Sequence, residues 1–198
     1  MKKVIKMQEN ASVRLVMLRT NDLTSPLGVS PVRPVFSWKT ESDLPRYQQS
    51  AYRIVVRAGE CVAWDSGKVD SGLSVGVVCP VELNPRTAYT WELTAWNSAD
   101  DPATAVASFE TGLPAEAPFG AAKWISTTDE RNPDEPHLPV FRKEFGVKPG
   151  LKTARLYTSG LGTYESYLNG ARVGKTENGA TVYDELKPGF TQTEKRKF

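Results

Sequence analysis

The chain has 198 residues, a length that allows either one large domain or two small ones. Its 25 basic and 23 acidic residues are spread along the sequence and give a formal net charge of +2, so the charge pattern does not predict nucleic-acid binding. Lysines follow the first methionine, but no apolar run long enough for a signal peptide or a membrane span comes after them. The sequence therefore favours a cytoplasmic protein with no membrane partner, or an exported protein whose signal has been removed.

The two cysteines argue against a disulfide framework and against a metal site. Cys61 and Cys79 are too few for the first and lack the ligand spacing of the second. We expect buried or free thiols, with a single bridge across a sheet pair as the alternative.

Short alternating runs rich in Val, Tyr, Trp and Thr recur between clusters of Gly, Pro, Asn and Asp, and helical periodicity is almost absent. This pattern predicts an all-β protein. About seven strands in the first hundred residues match an immunoglobulin-like or fibronectin type III sandwich. The predicted strands are Ser12–Leu18, Val35–Lys39, Ser50–Arg57, Val62–Asp65, Val75–Val78, Thr87–Trp96 and Ala103–Glu110.

Alternation within these strands assigns side chains to the core. In the first strand Val13, Leu15 and Met17 fall on one face. Four tryptophans also lie in this half of the chain. We expect Trp38, Trp64 and Trp91 to be buried and Trp96 to be the most exposed of the four.

Residues Leu83–Tyr89, which read Leu-Asn-Pro-Arg-Thr-Ala-Tyr, resemble the tyrosine corner of fibronectin type III domains. In that motif the tyrosine hydroxyl bonds back to the main chain a few residues upstream. We therefore expect a bond from Tyr89 to the backbone near Leu83 or Asn84, and a purely structural role for this tyrosine.

A linker is predicted at Gly112–Pro118 from its glycine and proline content. The sequence thus predicts a sandwich over 11–113 and a second, jelly-roll-like β-domain over 121–198. Because the second stretch has no closing strands, we expect it to be truncated. Its predicted strands are Val140–Val147, Lys152–Ser159, Tyr164–Leu168 and Ala171–Val173, the last two joined by a hairpin turn at Asn169-Gly170.

Three stretches carry motifs that occur in the same order in a known family. The first combines Pro26-Leu27-Gly28-Val29 with Pro34-Val35-Phe36-Ser37-Trp38. The second combines Ala51-Tyr52-Arg53-Ile54-Val55-Val56 with Trp64-Asp65-Ser66-Gly67-Lys68-Val69. The third combines Phe141-Arg142-Lys143-Glu144-Phe145 with Ala154–Glu165, Leu168-Asn169-Gly170 and Arg172-Val173-Gly174. Together they resemble the N-terminal region of bacterial α-L-rhamnosidases of the inverting glycoside hydrolase type.

The resemblance implies a parent enzyme that removes terminal α-L-rhamnose from plant glycosides or polysaccharides. It also implies that catalysis resides in a helical barrel further along the chain, so no catalytic residue is transferred to this sequence. The expected partners are the remainder of the enzyme chain and a rhamnosylated glycoside or polysaccharide. The expected role is that of a non-catalytic accessory region that supports the barrel or presents substrate to it.

The carboxyl groups of the second half do not predict a catalytic pair. Inverting hydrolysis needs an acid of raised pKa and a base about 6.5–9.5 Å away. Solvated loops and polar strand faces leave pKa values near normal. The carboxyl groups in question are those of Asp129, Glu130, Asp134, Glu135, Glu144 and Glu165.

The loop Asp129–His137 is the one candidate metal site. Its acids and Asn132 could supply oxygen ligands to calcium, but Arg131 sits among them and the prolines fit no familiar cage. We expect a solvated loop and no cofactor, with calcium as the alternative. The single histidine, His137, lacks catalytic partners and is expected on the surface.

Exposed aromatics of the second domain are the better candidates for function. Sugar-binding β-domains stack a pyranose on Trp or Tyr and surround it with hydrogen-bonding groups. The predicted carbohydrate-contacting residues are Trp124, Tyr157, Tyr164 and Tyr167 as platforms, with Arg155 and Glu165 as polar neighbours. Arg172 is a further possible hydrogen-bonding neighbour. The alternative for each tyrosine is a place in the sandwich core.

Two other functions fit the sequence. One is a stand-alone carbohydrate-binding or adhesion module, which requires a complete second sandwich. The other is a purely structural interaction domain, which requires no sugar binding and an apolar edge that pairs with another chain.

Overall fold

A computed structural model describes residues 13–43, 45–114, 119–127, 139–159, 164–173, 175–177, 180–182 and 192–197. The chain divides into two compact units, Met1–Glu116 and Ala117–Phe198. The secondary structure of the described residues consists of β-strands. No helix within these ranges is long and apolar enough to cross a membrane.

The first unit is an immunoglobulin-like sandwich of two antiparallel sheets, and the predicted fold class is confirmed. One sheet has the strand order β1-β2-β5 and the other the order β4-β3-β6-β7. The seven strands within its described residues are β1 (Val13–Thr20), β2 (Val35–Ser42), β3 (Gln49–Ala58), β4 (Cys61–Asp65), β5 (Val77–Val78), β6 (Ala88–Asn97) and β7 (Pro102–Glu110). All seven predicted strands are present, with ends that differ by a few residues.

The core lies between the two sheets because each strand turns alternate side chains inward. The rings of Phe36 in β2 and Trp91 in β6 lie 4.7 Å apart, centroid to centroid. Tyr89 stacks on Phe109 at 5.4 Å. The buried cluster comprises Leu15, Val29, Phe36, Trp38, Tyr52, Ile54, Val56, Val77, Cys79, Leu83, Tyr89, Trp91, Leu93, Ala95 and Phe109.

The prediction that Met17 shares the inward face of β1 is wrong. The β1–β2 register shifts between Val16 and Arg19, and Met17 adopts a φ of 50°. Such a β-bulge changes the side of the sheet on which the following residues fall. Met17 is therefore 54% exposed, and Leu18 packs against the core instead.

Two of the four tryptophans of the first unit, Trp38 and Trp91, are buried as predicted. Trp64, also expected to be buried, is half-buried and packs against the core. Trp96, expected to be the most exposed, is also only half-buried. The ammonium of Lys68 lies 4.6 Å from the centroid of the Trp96 ring, a cation–π contact that covers one face.

Both cysteines are free thiols, so the alternative of a bridge does not hold. Cys61 is exposed at the start of β4, and Cys79 is buried in the core. Burial raises the pKa of the Cys79 thiol, which keeps it protonated and unreactive.

The predicted tyrosine corner is present. The backbone N–H of Asn84 donates to the Tyr89 hydroxyl oxygen at 2.9 Å. Tyr89 is 2% exposed, so this bond joins the loop before β6 to the core. The direction of the bond means that the tyrosine oxygen acts as the acceptor.

An ion pair joins β3 to β4. The Arg53 Nε–H donates to Asp65 Oδ1 at 2.9 Å, and Arg53 Nη2 bonds the other carboxylate oxygen. Asp65 Oδ1 also accepts the N–H of Gly67 at 2.9 Å, which shapes the turn after β4. These bonds, the one from Arg53 foremost, lower the pKa of Asp65 to about 2.

The second unit contains three separate strand pairs among its described residues. They are β8 (Thr153–Thr158) with β13 (Gln192–Lys197), β9 (Tyr167–Leu168) with β10 (Ala171–Arg172), and β11 (Lys175–Glu177) with β12 (Ala180–Val182). The predicted strand Val140–Val147 is wrong, because residues 139–148 form no ladder. Alternating side chains favour a strand, but a strand also needs a hydrogen-bonding neighbour, which this segment does not have within the described residues.

Replacing Tyr89 by Phe should destabilise the first unit by about 1 kcal/mol, because the Asn84 N–H loses its acceptor. Urea unfolding followed by circular dichroism measures the change. Tyr47→Phe is the control, since the Tyr47 hydroxyl has no hydrogen-bond partner among the described residues. Equal stability of Y89F and the unchanged chain would contradict the role given to this bond.

Asp65→Asn should lower stability at neutral pH by at most about 1 kcal/mol, because the pair with Arg53 is partly exposed and screened. The folded pKa of Asp65 lies below its ordinary value of 3.8, so the contribution of the carboxylate is present above that value. It is lost as the pH falls through about 2. The difference in unfolding free energy between D65N and the unchanged chain should therefore shrink across this window, and a difference that stays constant down to about pH 2 would contradict the role given to the carboxylate.

Candidate functional site

The β9–β10 hairpin builds the clearest polar cluster of the second unit. Asn169 and Gly170 form its turn with φ values of 49° and 77°, the left-handed geometry that an Asn-Gly dipeptide adopts with little strain. The turn sets the register, in which Tyr167 lies directly opposite Arg172. The predicted hairpin is thus confirmed.

Glu165 connects the two residues of this pair. The Tyr167 hydroxyl donates to Glu165 Oε2 at 2.6 Å. Arg172 Nη2 lies 2.6 Å from the other carboxylate oxygen, Oε1. Both oxygens of the carboxylate are therefore engaged, which holds the acid, the phenol and the guanidinium in one arrangement. We call Glu165, Tyr167 and Arg172 the hairpin triad.

The hairpin triad faces solvent. Tyr167 is 59% exposed, and the side chains of Arg172 and Glu165 are 36% and 42% exposed. An accessible ring beside fixed donors and acceptors can bind a neutral polyhydroxylated molecule by stacking and hydrogen bonding. Arg172, named from the sequence as a possible hydrogen-bonding neighbour, is brought into this cluster by the register of the Asn169-Gly170 turn.

Arg155 and Tyr157 lie on one face of β8, two residues apart, opposite Lys195 and Thr193 of β13. Both side chains are half-buried. Tyr164 is tied to the end of the same strand, because its hydroxyl donates to the Thr158 carbonyl at 3.2 Å. The predicted residues Arg155, Tyr157 and Tyr164 are therefore positioned by β8, and Glu165 and Tyr167 by the hairpin.

Trp124 belongs neither to β8 nor to the β9–β10 hairpin. It lies in the segment 122–127, which has no regular secondary structure, and is 68% exposed. Ile125 beside it is exposed to the same extent. The indole offers an open stacking face, but its segment does not share a ladder with the hairpin or β8.

The remaining predicted candidates for catalysis or metal binding are Glu144 and the loop Asp129–His137. Glu144 forms an exposed ion pair with Arg142. The loop Asp129–His137, proposed as a possible calcium site, lies outside the described residues. Within the residues that are described, no group of three or more His, Cys, Asp or Glu side chains is arranged to hold a metal ion.

Two family models match the chain. Residues 15–115, about half of its length, match the model described as Rha78A-like, N-terminal immunoglobulin domain. Residues 150–198 match the model of the alpha-L-rhamnosidase N-terminal domain. The first match covers the sandwich, and the second covers β8 and the strands that follow it.

Individual relatives agree with these models. An alpha-L-rhamnosidase of Formosa agariphila is 28% identical over 85% of this chain, which spans 21% of that protein. The structure of an alpha-L-rhamnosidase from Dictyoglumus thermophilum is 31% identical with a TM-score of 0.75, over 91% of this chain and 23% of its own. The structure of an alpha-L-rhamnosidase from Aspergillus terreus is 25% identical with a TM-score of 0.69, and the match covers 82% of this chain and 19% of that structure.

The chain thus spans about a fifth of the length of the curated relatives that it matches. The order of the two matched domains is the order expected from the motifs of the sequence. The chain belongs to the Rha78A-like N-terminal immunoglobulin domain family and corresponds to the N-terminal region of alpha-L-rhamnosidases.

Proposed function

We propose that this chain is a non-catalytic accessory region of an α-L-rhamnosidase. In this proposal the sandwich is a structural base, and the second unit contacts both the remainder of the enzyme and the rhamnosylated substrate. The relatives that match both units are α-L-rhamnosidases several times longer than this chain, which supports a partner in the same polypeptide.

The observation that carries the proposal is the contrast in apolar burial between the two units. The first unit encloses a complete core, whereas among the described residues of the second unit Val173 is the one buried large hydrophobic side chain. Nine large apolar residues of its described part are between 41% and 92% exposed. These residues are Trp124, Ile125, Val140, Phe141, Phe145, Val147, Leu151, Leu156 and Tyr167.

Such exposure favours further burial. Each square ångström of apolar surface removed from water stabilises a contact by about 25 cal/mol. The remainder of the enzyme chain is the partner that the length of the relatives supports.

The chemistry of the carboxylates supports a non-catalytic role. A general acid for glycoside hydrolysis needs a raised pKa. The Arg53–Asp65 pair instead lowers the pKa of Asp65, and Glu144 and Glu165 are paired with arginines. Paired carboxylates of this kind orient neighbours and accept hydrogen bonds rather than deliver protons.

The hairpin triad is our proposed sugar contact. The Tyr167 ring would stack on the apolar face of a rhamnosyl residue, and Arg172 and Glu165 would bond its hydroxyl groups. Trp124, Tyr157, Tyr164 and Arg155 are the further candidates of the same unit.

The chain alone should not hydrolyse p-nitrophenyl α-L-rhamnopyranoside, because the two candidate carboxylates that the structure describes, Glu144 and Glu165, are each paired with an arginine. Release of p-nitrophenol at the rate of buffer is the expected result. Release above that rate, lost in Glu165→Gln, would contradict the non-catalytic assignment.

Calorimetric titration of the folded chain with L-rhamnose and a rhamnosylated flavonoid, with and without calcium, tests the sugar contact. We expect saturable binding that Tyr167→Ala weakens about tenfold through loss of stacking. Phe145→Ala removes another exposed aromatic of the same unit and should leave binding unchanged. Unchanged affinity in Y167A would exclude the hairpin triad, and absence of heat in every condition would limit the second unit to a supporting role.

A further inference from the structure

The motif Pro26–Val29 pairs with the end of β7, where the chain leaves the sandwich. The Glu110 N–H donates to the Pro26 carbonyl at 2.9 Å, and the Val29 N–H donates to the Glu110 carbonyl at 3.0 Å. The Gly112 N–H donates to the Val29 carbonyl at 2.7 Å. Val29 and Thr111 form a parallel bridge, so the loop acts as a short extra strand beside the exit.

The main chain at position 112 lies so close to Gly28 that only glycine fits at position 112. A Cβ atom on Gly112 would lie 2.8 Å from the Gly28 carbonyl oxygen and 3.1 Å from the Gly28 Cα. Both obstacles are main-chain atoms, which cannot move aside as a side chain does. Gly112, predicted as the first linker residue, is instead buried in the first unit.

The buried hydroxyl of Thr111 joins residues 110–112, where the chain leaves the sandwich, to the loop of the tyrosine corner. Thr111 is 0% exposed. Its Oγ1 accepts the Thr87 N–H at 3.0 Å and donates to the Asn84 carbonyl at 2.7 Å. The Arg86 N–H also donates to the Gly112 carbonyl at 2.8 Å. The loop that holds the Tyr89 bond and the exit of the chain are therefore bonded to each other.

We propose that residues 26–29, 84–87 and 110–112 form a clasp, a local cooperative unit that closes around the exit of the chain. The clasp fixes the point at which the chain departs from the sandwich, and it opens as one piece while the β3–β6 core stays folded. The Thr111 hydroxyl is the positioning group, since it bonds segment 84–87 at Asn84 and Thr87, while the main chain of Glu110 and Gly112 on either side of it bonds segment 26–29. The inference holds whether or not the second unit contacts sugar.

Amide hydrogen exchange of the whole chain, resolved by segment, tests the clasp. Thr111→Val keeps the side-chain shape but leaves the Thr87 N–H and the Asn84 carbonyl without their partner. Exchange in all three segments should become faster by about tenfold, with the β3–β6 amides little changed. Thr111→Ser retains the hydroxyl and should restore slow exchange. Thr104→Val, at an exposed position of β7, the strand that ends just before Thr111, is the matched control.

The unchanged chain gives an independent test if T111V does not fold. In low concentrations of urea the three segments should share one opening free energy and one urea dependence, distinct from those of β3 and β6. Exchange in T111V that matches the unchanged chain would overturn the proposal. So would equal acceleration throughout the sandwich, or three segments that open independently of one another.

Discussion

The first unit depends on the side chain of Phe36, which connects its two sheets. Phe36 belongs to the three-stranded sheet, and its ring meets Trp64, Trp91 and Phe109 of the four-stranded sheet. Phe36 and Trp91 are both fully buried. Other core contacts lie to either side of this centre, so the packing of the sheets follows from how these rings fit.

The same contact explains why an unsatisfied polar atom is tolerated. Trp91 Nε1 is buried and has no hydrogen-bond partner among the described residues. An unpaired donor of this kind costs about 1–3 kcal/mol. Burying an indole removes roughly 200 Å² from water and contributes about 5 kcal/mol, so burial of the ring outweighs the missing bond.

Alternation of side chains predicts the strands of the first unit, because every second residue of a half-buried strand points to the core. The Leu83–Tyr89 motif predicts the tyrosine corner. Alternation does not predict a place where the backbone geometry changes while the pattern of side chains continues. The bulge at Met17 shifts the register, and only the pairing with β2 reveals it. Gly112 reads as a linker by composition, yet the nearness of Gly28, far away in sequence, makes it part of the fold.

Residues of the second unit were harder to predict for a related reason. The pattern of residues 140–147 is that of a strand, but pairing depends on a neighbour that the pattern does not specify. The hairpin could be predicted because Asn169-Gly170 encodes its own register. Which other aromatic side chains lie near the hairpin depends on contacts between elements, whereas Arg172 joins the hairpin triad through the register of the hairpin itself.

The placement of the tryptophans also determines what intrinsic fluorescence reports. Trp38, Trp64, Trp91 and Trp96 lie in the first unit in buried or half-buried settings, where indole emission is blue-shifted relative to water. Trp124, the fifth, is 68% exposed and emits from an aqueous environment already. A red shift on unfolding therefore reports the sandwich almost exclusively, and events in the second unit require a different probe.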